Sequence, residues 1–415
     1  SPIFYQGFNM KRVIVIGAGA SGLVAAYFAA KRGNEVIVIE KNEKCGKKIY
    51  ITGKGRCNIT NDILPEDFLS NVVTNPKFLT GAVYSFPPQK LMRFLEDGGL
   101  RLKTERGGRV FPLSDKASDV TKCLENYCKN AGVCFHFNEQ VQEICVLQST
   151  MSDVITDKAR YACDACIVCT GGLSYPGTGS TGDGYAFAKQ LGHTVVPVTA
   201  ALCGINLKDT DTAPLQGLSL KNVSVSAKRG GKEVGSFFGE MLFTHFGISG
   251  PCVLSLSSLI NRFPMSEIEI FIDLKPALDA QTLDKRILRD FEKYKNKMLI
   301  HALDELLPKS LVPVVVARSG ILPSTPVNTV TKAQRGHLLE TIKRFTLRPS
   351  SLRGIRESIV TAGGVDVREI HPKTMESRLV KGLYFCGEVL DVDAFTGGYN
   401  LQIAFSTGYA AGNNV

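Results

Sequence analysis

Tryptophan is absent from the 415 residues, histidine occurs only six times, and neither an internal repeat nor a low-complexity linker interrupts the chain. The missing tryptophan excludes nothing. The dispersed histidines offer no zinc-ligand spacing, and the lack of a repeat excludes a solenoid or propeller. Also missing is a stripe of arginine and lysine alternating with aromatics, which a strand-binding groove needs. The formal charge of +10 is therefore read as serving a small polyanion, and no nucleic-acid partner is expected. Cysteine is plentiful, with twelve copies. Without a secretory signal, so many thiols point to a reducing, cytoplasmic setting. Cys163, Cys166 and Cys169 in "CDACIVC" look like the start of an iron–sulfur run. The segment reads instead as a buried strand, in which residues three apart face opposite ways and cannot share a metal.

One long run lacks charge, the eighteen residues Val13–Ala30. Its length alone would allow a membrane span, but glycines inside it at meaningful spacing argue against one, and no membrane span is expected. The chain is long enough for two or three domains and for burying a large ligand. Residues 1–9 precede Met10 and are read as an added segment outside the fold.

Residues 11–42, "KRVIVIGAGASGLVAAYFAAKRGNEVIVIEKN", divide into a strand at Arg12–Ile16, a helix at Ser21–Arg32 closed by Gly33, and a strand at Glu35–Glu40. Gly17, Gly19 and Gly22 have the spacing of a dinucleotide fingerprint, placed between strand and helix, and Glu40 ends the next strand about 20 residues on. Gly17 permits the tight turn, Gly19 lets a pyrophosphate approach, and Gly22 lets helix and strand close up. With Ala20 and Ser21 they form the candidate phosphate cradle at a helix N-terminus. Glu40 can bind both ribose hydroxyls and would repel a 2′-phosphate, so the nucleotide is read as the ADP-ribose of FAD or NAD.

Further on, a helix is predicted near Pro88–Gly98, a hairpin over 104–112 with its tip at Gly107–Gly108, an amphipathic helix over 114–132, and strands at 133–147 and 165–169. The last strand runs into Thr170, Gly171 and Gly172. A second literal GxGxxG, at Gly177, Gly179 and Gly182, follows Tyr175–Pro176 instead of a strand and is read as a loop capping a helix that starts near Asp183. From Val195 the pattern is that of short antiparallel strands, and from 276 that of helices. The fold class is therefore α/β. A Rossmann-like FAD-binding domain (10–195 and 361–415) surrounds a β-rich, barrel-like subdomain (196–275, with a return over 346–360) and a helical subdomain (276–345).

The segment 382–412, "GLYFCGEVLDVDAFTGGYNLQIAFSTGYAAG", reads strand, glycine loop, helix. Gly387 and Glu388 end the strand. Gly398, Tyr399, Asn400 and Leu401 open the helix, whose N-terminal amides can stabilise the anionic end of a reduced flavin. Chain start, middle strand and chain end thus supply three glycine-lined edges for one long ligand, which selects FAD over NAD.

Through "GAGASG", "GKGRCNITN", "GGRVFP", "CTGGLSYPGTGSTGDGYAFAKQLGH", "FTHFGISGP" and "GEVLDVDAFTGGYNLQIAFSTGYAAG" the sequence resembles the two-dinucleotide-binding flavoproteins, and among them the bacterial BaiN/YhiN type. The resemblance implies FAD bound by the two chain ends. It implies that Lys41, Lys48, Thr52, Gly53, Gly55, Arg56, Cys57 and Asn58 run along the pyrophosphate and flavin edge, and that Val141 touches the adenine through its backbone. Cys57 has no CxxxxC partner, since Cys45 is twelve residues away; a single thiol cycling through sulfenic acid is the alternative to the preferred reading, packing against the cofactor. Tyr175, His245 and Tyr399 are the catalytic candidates, each weighed against plain packing. The expected activity is hydride transfer from NAD(P)H through flavin to a small apolar substrate, with a conjugated C=C bond as the acceptor that the resemblance implies. The rivals are a desaturase or fumarate-reductase-like enzyme fed by a protein partner, and a non-catalytic flavin-holding module associated with RNA.

Overall fold

The computed structural model describes residues 9–415; residues 1–8, most of the segment set aside above, lie outside it. The chain forms two compact units, one comprising the chain up to Thr199 together with Ile355–Val415, the other Ala200–Gly354. Among the described residues no helix is long and apolar enough to cross a membrane.

The first unit is built on β1 (Arg12–Ile16), α1 (Ala20–Lys31), β2 (Glu35–Ile39), β3 (Thr60–Asn61), the hairpin β4 (Leu102–Glu105) and β5 (Arg109–Pro112), α2 (Ala117–Asn130), β6 (Cys134–His136), β7 (Ala165–Val168), α3 (Asp183–Gln190), β8 (Leu383–Phe385) and α4 (Tyr399–Gly412). The parallel sheet runs β8-β7-β1-β2-β6, with Val13 beside Ala165 and Arg12 beside Glu35. This is the doubly wound order in which ligands sit at the carboxyl ends of the strands, where the order reverses about β1. β1, β2 and β7 are buried on both faces, so they read as unbroken apolar runs, valine and isoleucine in β1 and β2 and Ala-Cys-Ile-Val in β7, instead of alternating.

One predicted strand is two. The run 133–147 breaks between β6 and the strand Val141–Leu147. Asn138 takes a left-handed φ of 52°, and Glu139 turns inward to accept hydrogen bonds from Thr156 (2.7 Å) and Tyr161 (2.7 Å). A buried carboxylate needs those donors, and supplying them outweighs continuing the strand.

α4 packs along α1. At two points it admits no side chain: a Cβ on Gly408 would lie 2.5 Å from the Ser21 carbonyl oxygen, and one on Gly412 2.4 Å from that of Ala25. The C-terminal helix is thereby fixed against the helix that follows the fingerprint.

The second unit has a seven-stranded antiparallel sheet in the order Phe345–Leu347, Ile268–Asp273, Ser219–Arg229, Lys232–Phe243, Gly247–Ser249, Ile205–Leu207, Pro349–Leu352. Helices Ala280–Lys293, Val312–Ser319 and Lys332–Lys343 share one apolar core with it, through Leu283, Ile287, Val315, Leu338 and Ile342 against Val225, Ile270 and Phe345. The last of these helices starts on a capping box made by Thr331 and Gln334.

Gly408→Val is expected to destabilise the first unit by about 3 kcal/mol, since backbone on both sides must move. Gly336→Ala, in a helix where a Cβ meets nothing, is expected to stabilise by about 0.5–1 kcal/mol. Thermal melts of the two variants check both; equal behaviour would contradict the helix-contact reading.

Candidate functional site

The fingerprint turn lies where α1 leaves β1. Gly17 has φ +103°, and its N–H donates to the Ile39 carbonyl (2.9 Å). A Cβ on Gly22 would lie 1.9 Å from the Gly17 oxygen, whereas one on Gly19 would meet nothing within 4 Å. The turn is thus closed on the strand side and open at Gly19. No side chain caps α1, so the first-turn amides around Ala20 and Ser21 have no intrahelical partner and face an incoming anion. Glu40, just after β2, accepts from Ala18 N–H (3.0 Å) and Asn42 N–H (2.9 Å), which pins its carboxylate against the glycine turn.

The ends of β7 and β8 arrive at the same edge. Gly387 approaches Ser21, so closely that a Cβ would lie 2.9 Å from its Oγ. Thr170–Gly172 leads into Leu173 and Ser174, whose N–H groups both donate to Thr361 Oγ1 (2.9 and 3.2 Å). Glu388 accepts from Lys48 Nζ (2.7 Å) and from Thr361 N–H (2.7 Å). Lys41 Nζ reaches Thr181 (2.6 Å) and Asp183 (2.9 Å), tying the loop before α3 to the end of β2. The second glycine-rich stretch is this loop.

The segment after Gly46 meets the N-terminus of α4. In the amide orientation that satisfies both its ends, Asn58 donates to the Val110 and Thr60 carbonyls and accepts from Gly398 N–H (3.0 Å). Thr60 Oγ1 donates to Gln402 (2.6 Å), and Asn61 Nδ2 donates to the carbonyls of Gly107 (2.9 Å) and Gly397 (3.1 Å). Thr52 turns its hydroxyl to Ile49 (2.7 Å), and the turn runs through Gly53 and Gly55, both with positive φ. Arg56 stacks over Phe111 and binds Glu105 and Asp115 (2.9 Å to Asp115). Sequence reasoning singled out the stretch but not Thr60, Asn61, Thr361 or Gln402. Their signal lay only in the motifs around them.

Other candidates are placed less centrally. Val141 is buried at the start of its strand, opposite Thr156. Tyr399 is buried edge-on against Phe68, 5.4 Å between centroids. Asn400 fastens the preceding loop through Ala394 (3.0 and 2.9 Å), and Leu401 packs on the core. Tyr175 is 37% exposed with φ +51°. His245 belongs to the second unit, exposed beside Phe246. Cys57 is fully buried with φ +60°, and burial pushes its thiol up to about 12. Burial raises Cys163 to about 12 as well, and Cys166 well above its ordinary value.

His193, Ser377 and Glu369 have the spacing of a nucleophilic triad: Nε2 to Ser377 Oγ is 2.7 Å and Nδ1 to Glu369 is 3.1 Å. Ser377, however, is 3% exposed and accepts from the N–H groups of Leu379 and Val380. The trio is a buried tie.

Thr170 Oγ1, the Tyr185 hydroxyl and Asn61 Oδ1 are among the buried polar atoms of the first unit that lack partners among the described residues; Asp153 Oδ1, on another sheet, is a further one. Each costs on the order of 1–3 kcal/mol if left unpaired. Together with the open turn at Gly19 and two uncapped helix N-termini, the first three fit a long, polar, anionic ligand with hydrogen-bonding ring edges, which describes FAD.

Fold and site define a flavin-dependent oxidoreductase of Rossmann type. Residues 11–414 match the family described as HI0933-like protein Rossmann domain, and the chain belongs to that family. It is 33% identical to a 3-dehydro-bile acid delta(4,6)-reductase of Clostridium scindens, over 97% of this chain and 98% of that one. It is 35% identical to a ribosomal RNA dihydrouridine synthase of Haemophilus influenzae, over 96% of both, and 32% identical to the Escherichia coli protein of the same name, over 97% of both. Among solved structures, a flavocytochrome c3 fumarate reductase is similar with TM-score 0.52 at 17% identity, covering 98% of this chain and 78% of that one. A 3-ketosteroid-delta4-(5alpha)-dehydrogenase of Rhodococcus jostii gives 0.52 at 14%, covering 99% and 98%. These two likenesses concern the fold alone.

Two outcomes follow. Alkylation of the native protein at pH 8, read by peptide mass spectrometry, is expected to label exposed Cys134 and spare Cys57; rapid labelling of Cys57 would contradict its burial. Burial lowers the pKa of His193, outweighing the pull of Glu369. The folded state therefore binds fewer protons than the unfolded one, so this residue's contribution to stability is lost as pH falls below the ordinary histidine range of about 6.5. His193→Gln is expected to flatten that acid limb in denaturant titrations at several pH values; an unchanged limb would contradict it.

Proposed function

We propose that the chain is an FAD-dependent ene reductase, which takes hydride from NADH or NADPH and delivers it to a C=C bond conjugated to a carbonyl. The observation that carries this reading is the pair of near full-length relatives named for different substrates. A delta(4,6) double bond of a 3-oxo steroid and the C5=C6 bond of uracil are the same chemical group, an alkene polarised by a carbonyl. Hydride adds to the carbon remote from the carbonyl, and a proton from the protein or solvent completes the α-carbon, so the acceptor gains two hydrogens and the nicotinamide is oxidised.

FAD supplies the two-electron carrier; the chain supplies the rest. Gly17, Gly19, Ala20, Ser21 and Gly22 hold the pyrophosphate, and Glu40 the ribose. Lys48, fixed by Glu388, and the amides of α4 from Tyr399 onward face the flavin's polar edge, while Thr170–Gly172 packs along it and the fully buried Cys57 supports the turn from behind. Tyr175, whose hydroxyl makes no hydrogen bond among the described residues, is the proton donor in this reading; Tyr399 is committed to packing.

A second reading of the acceptor, uracil within RNA, stands beside the expected apolar small molecule and departs from the expectation that no nucleic acid is bound. It is favoured by the two relatives named for RNA modification and by the concentration of positive charge beside the site, developed below.

Anaerobic mixing with each nicotinamide, followed by a 3-oxo-4-ene steroid or a uridine-containing RNA, tests the proposal. One nicotinamide is expected to bleach the flavin, and one acceptor to restore the colour while gaining two hydrogens by mass. No bleaching by either donor would remove the nicotinamide; bleaching without reoxidation by either acceptor would remove the ene chemistry.

A further inference from the structure

Residues 41–56 and 101–116 contain eleven lysines and arginines against three acids, a net +8 out of the chain's +10. The end of the first stretch meets the second. β3 pairs with β5, Thr60 opposite Val110. Asn61 holds the Gly107 carbonyl, and Arg56 lies on Phe111 between the Glu105 and Asp115 carboxylates.

The cofactor does not account for this charge. Lys41, Lys48, Arg56 and Lys103 are each bound to a carboxylate. All three acids of the two stretches are occupied as well, Glu43 by Lys47 and the others by Arg56 and Lys103. Lys54, Arg106 and Lys116 remain exposed and without a carboxylate among the described residues, and Arg109 reaches Glu105 only at 3.9 Å. Two of them sit on tight turns that aim them outward. Lys54 has a left-handed φ of 57°, and Arg106 precedes Gly107 and Gly108, both with positive φ. A left-handed lysine costs about 1 kcal/mol, and it is held there beside two further unneutralised cations.

We propose that this rim, made by the 52–56 turn and the β4–β5 hairpin, is a docking surface for the sugar–phosphate backbone of RNA. The inference rests on the uracil reading above. Several exposed cations carried on neighbouring turns suit a chain of phosphates better than a single small anion. Sequence-independent backbone contacts position the nucleic acid and leave a splayed base to the site beside them. The rim is continuous with Thr52–Asn58, the segment assigned to the flavin edge, so a nucleotide held on it lies next to the reacting group.

The test uses flavin-loaded protein and a fluorescent uridine-containing RNA hairpin, titrated at several salt concentrations, comparing wild type with Arg106→Glu/Lys116→Glu. The variant is expected to bind RNA at least tenfold more weakly, with the log–log salt slope reduced by about 1.4, the share of two phosphate contacts on a single strand. Its FAD content and its reduction of a small enone are expected to match wild type. Unchanged RNA affinity, or anionic vesicles or an acidic protein binding this rim while RNA does not, would overturn the proposal. If no acceptor turns over but the variant loses RNA, the ene-reductase reading falls and the docking surface stands; if an enone turns over while RNA ignores these charges, the docking surface alone falls.

Discussion

Where α1 leaves β1, the Gly17 carbonyl occupies the space that a side chain on Gly22 would need, and the Gly17 Cα itself lies against the Cys169 carbonyl, 2.3 Å from where a Cβ would stand. The same closeness recurs at the other end of the chain, where a Cβ on Gly398 would lie 2.4 Å from the Thr60 carbonyl carbon and oxygen. These contacts bring strand ends and helix N-termini from residues 17, 170, 387 and 398 to one edge of the first unit. Backbone packs on backbone there, and the first-turn amides of α1 and α4, beyond Gly19 and Gly398, are left without a side-chain cap. A methyl group at either point would separate the elements and with them the amides that an anionic cofactor needs.

Charge around this edge is divided into two roles. Lys41, Lys48 and Arg56 are neutralised by Asp183, Glu388, Glu105 and Asp115, and each pair ties one segment to another distant in sequence. They act first as positioning groups. Among the described residues Lys54, Arg106 and Lys116 have no such carboxylate partner and remain to act on what lies outside. Partly exposed ion pairs of this kind add little stability, of order 1 kcal/mol or less each, so their value lies in where they hold the loops. Cys57 belongs to the first group in a different way. Its thiol fills space behind the 52–56 turn, and burial outweighs the Thr52 hydrogen bond that favours the thiolate, so it stays far from the form that sulfenic acid chemistry needs at neutral pH.

Much of the first unit was legible because its signals are local. Val13–Ile16, the glycine spacing and Glu40 lie within one βαβ unit, where strand burial and helix capping leave direct marks on residue type. The break at Asn138 was hidden, since it depends on Glu139 finding donors on Thr156 and Tyr161, residues from other strands. Thr361 was missed for the same reason, as its role comes from meeting Glu388, Leu173 and Ser174 across the fold. The purpose of the positive charge was only half visible in the sequence. Residues 41–56 and 101–116 are separated by three helices and several turns, and the meeting of the 52–56 turn with the hairpin depends on β3 pairing with β5.

The central claim is that these converging edges hold one FAD per chain. The most direct measurement is the flavin released on denaturing the purified protein, quantified by chromatography against protein concentration, with apoprotein reconstituted where flavin was lost. The account predicts FAD at close to one equivalent, with Gly22→Val failing to retain or regain it. A wild-type protein that is colourless and takes up no FAD would contradict it.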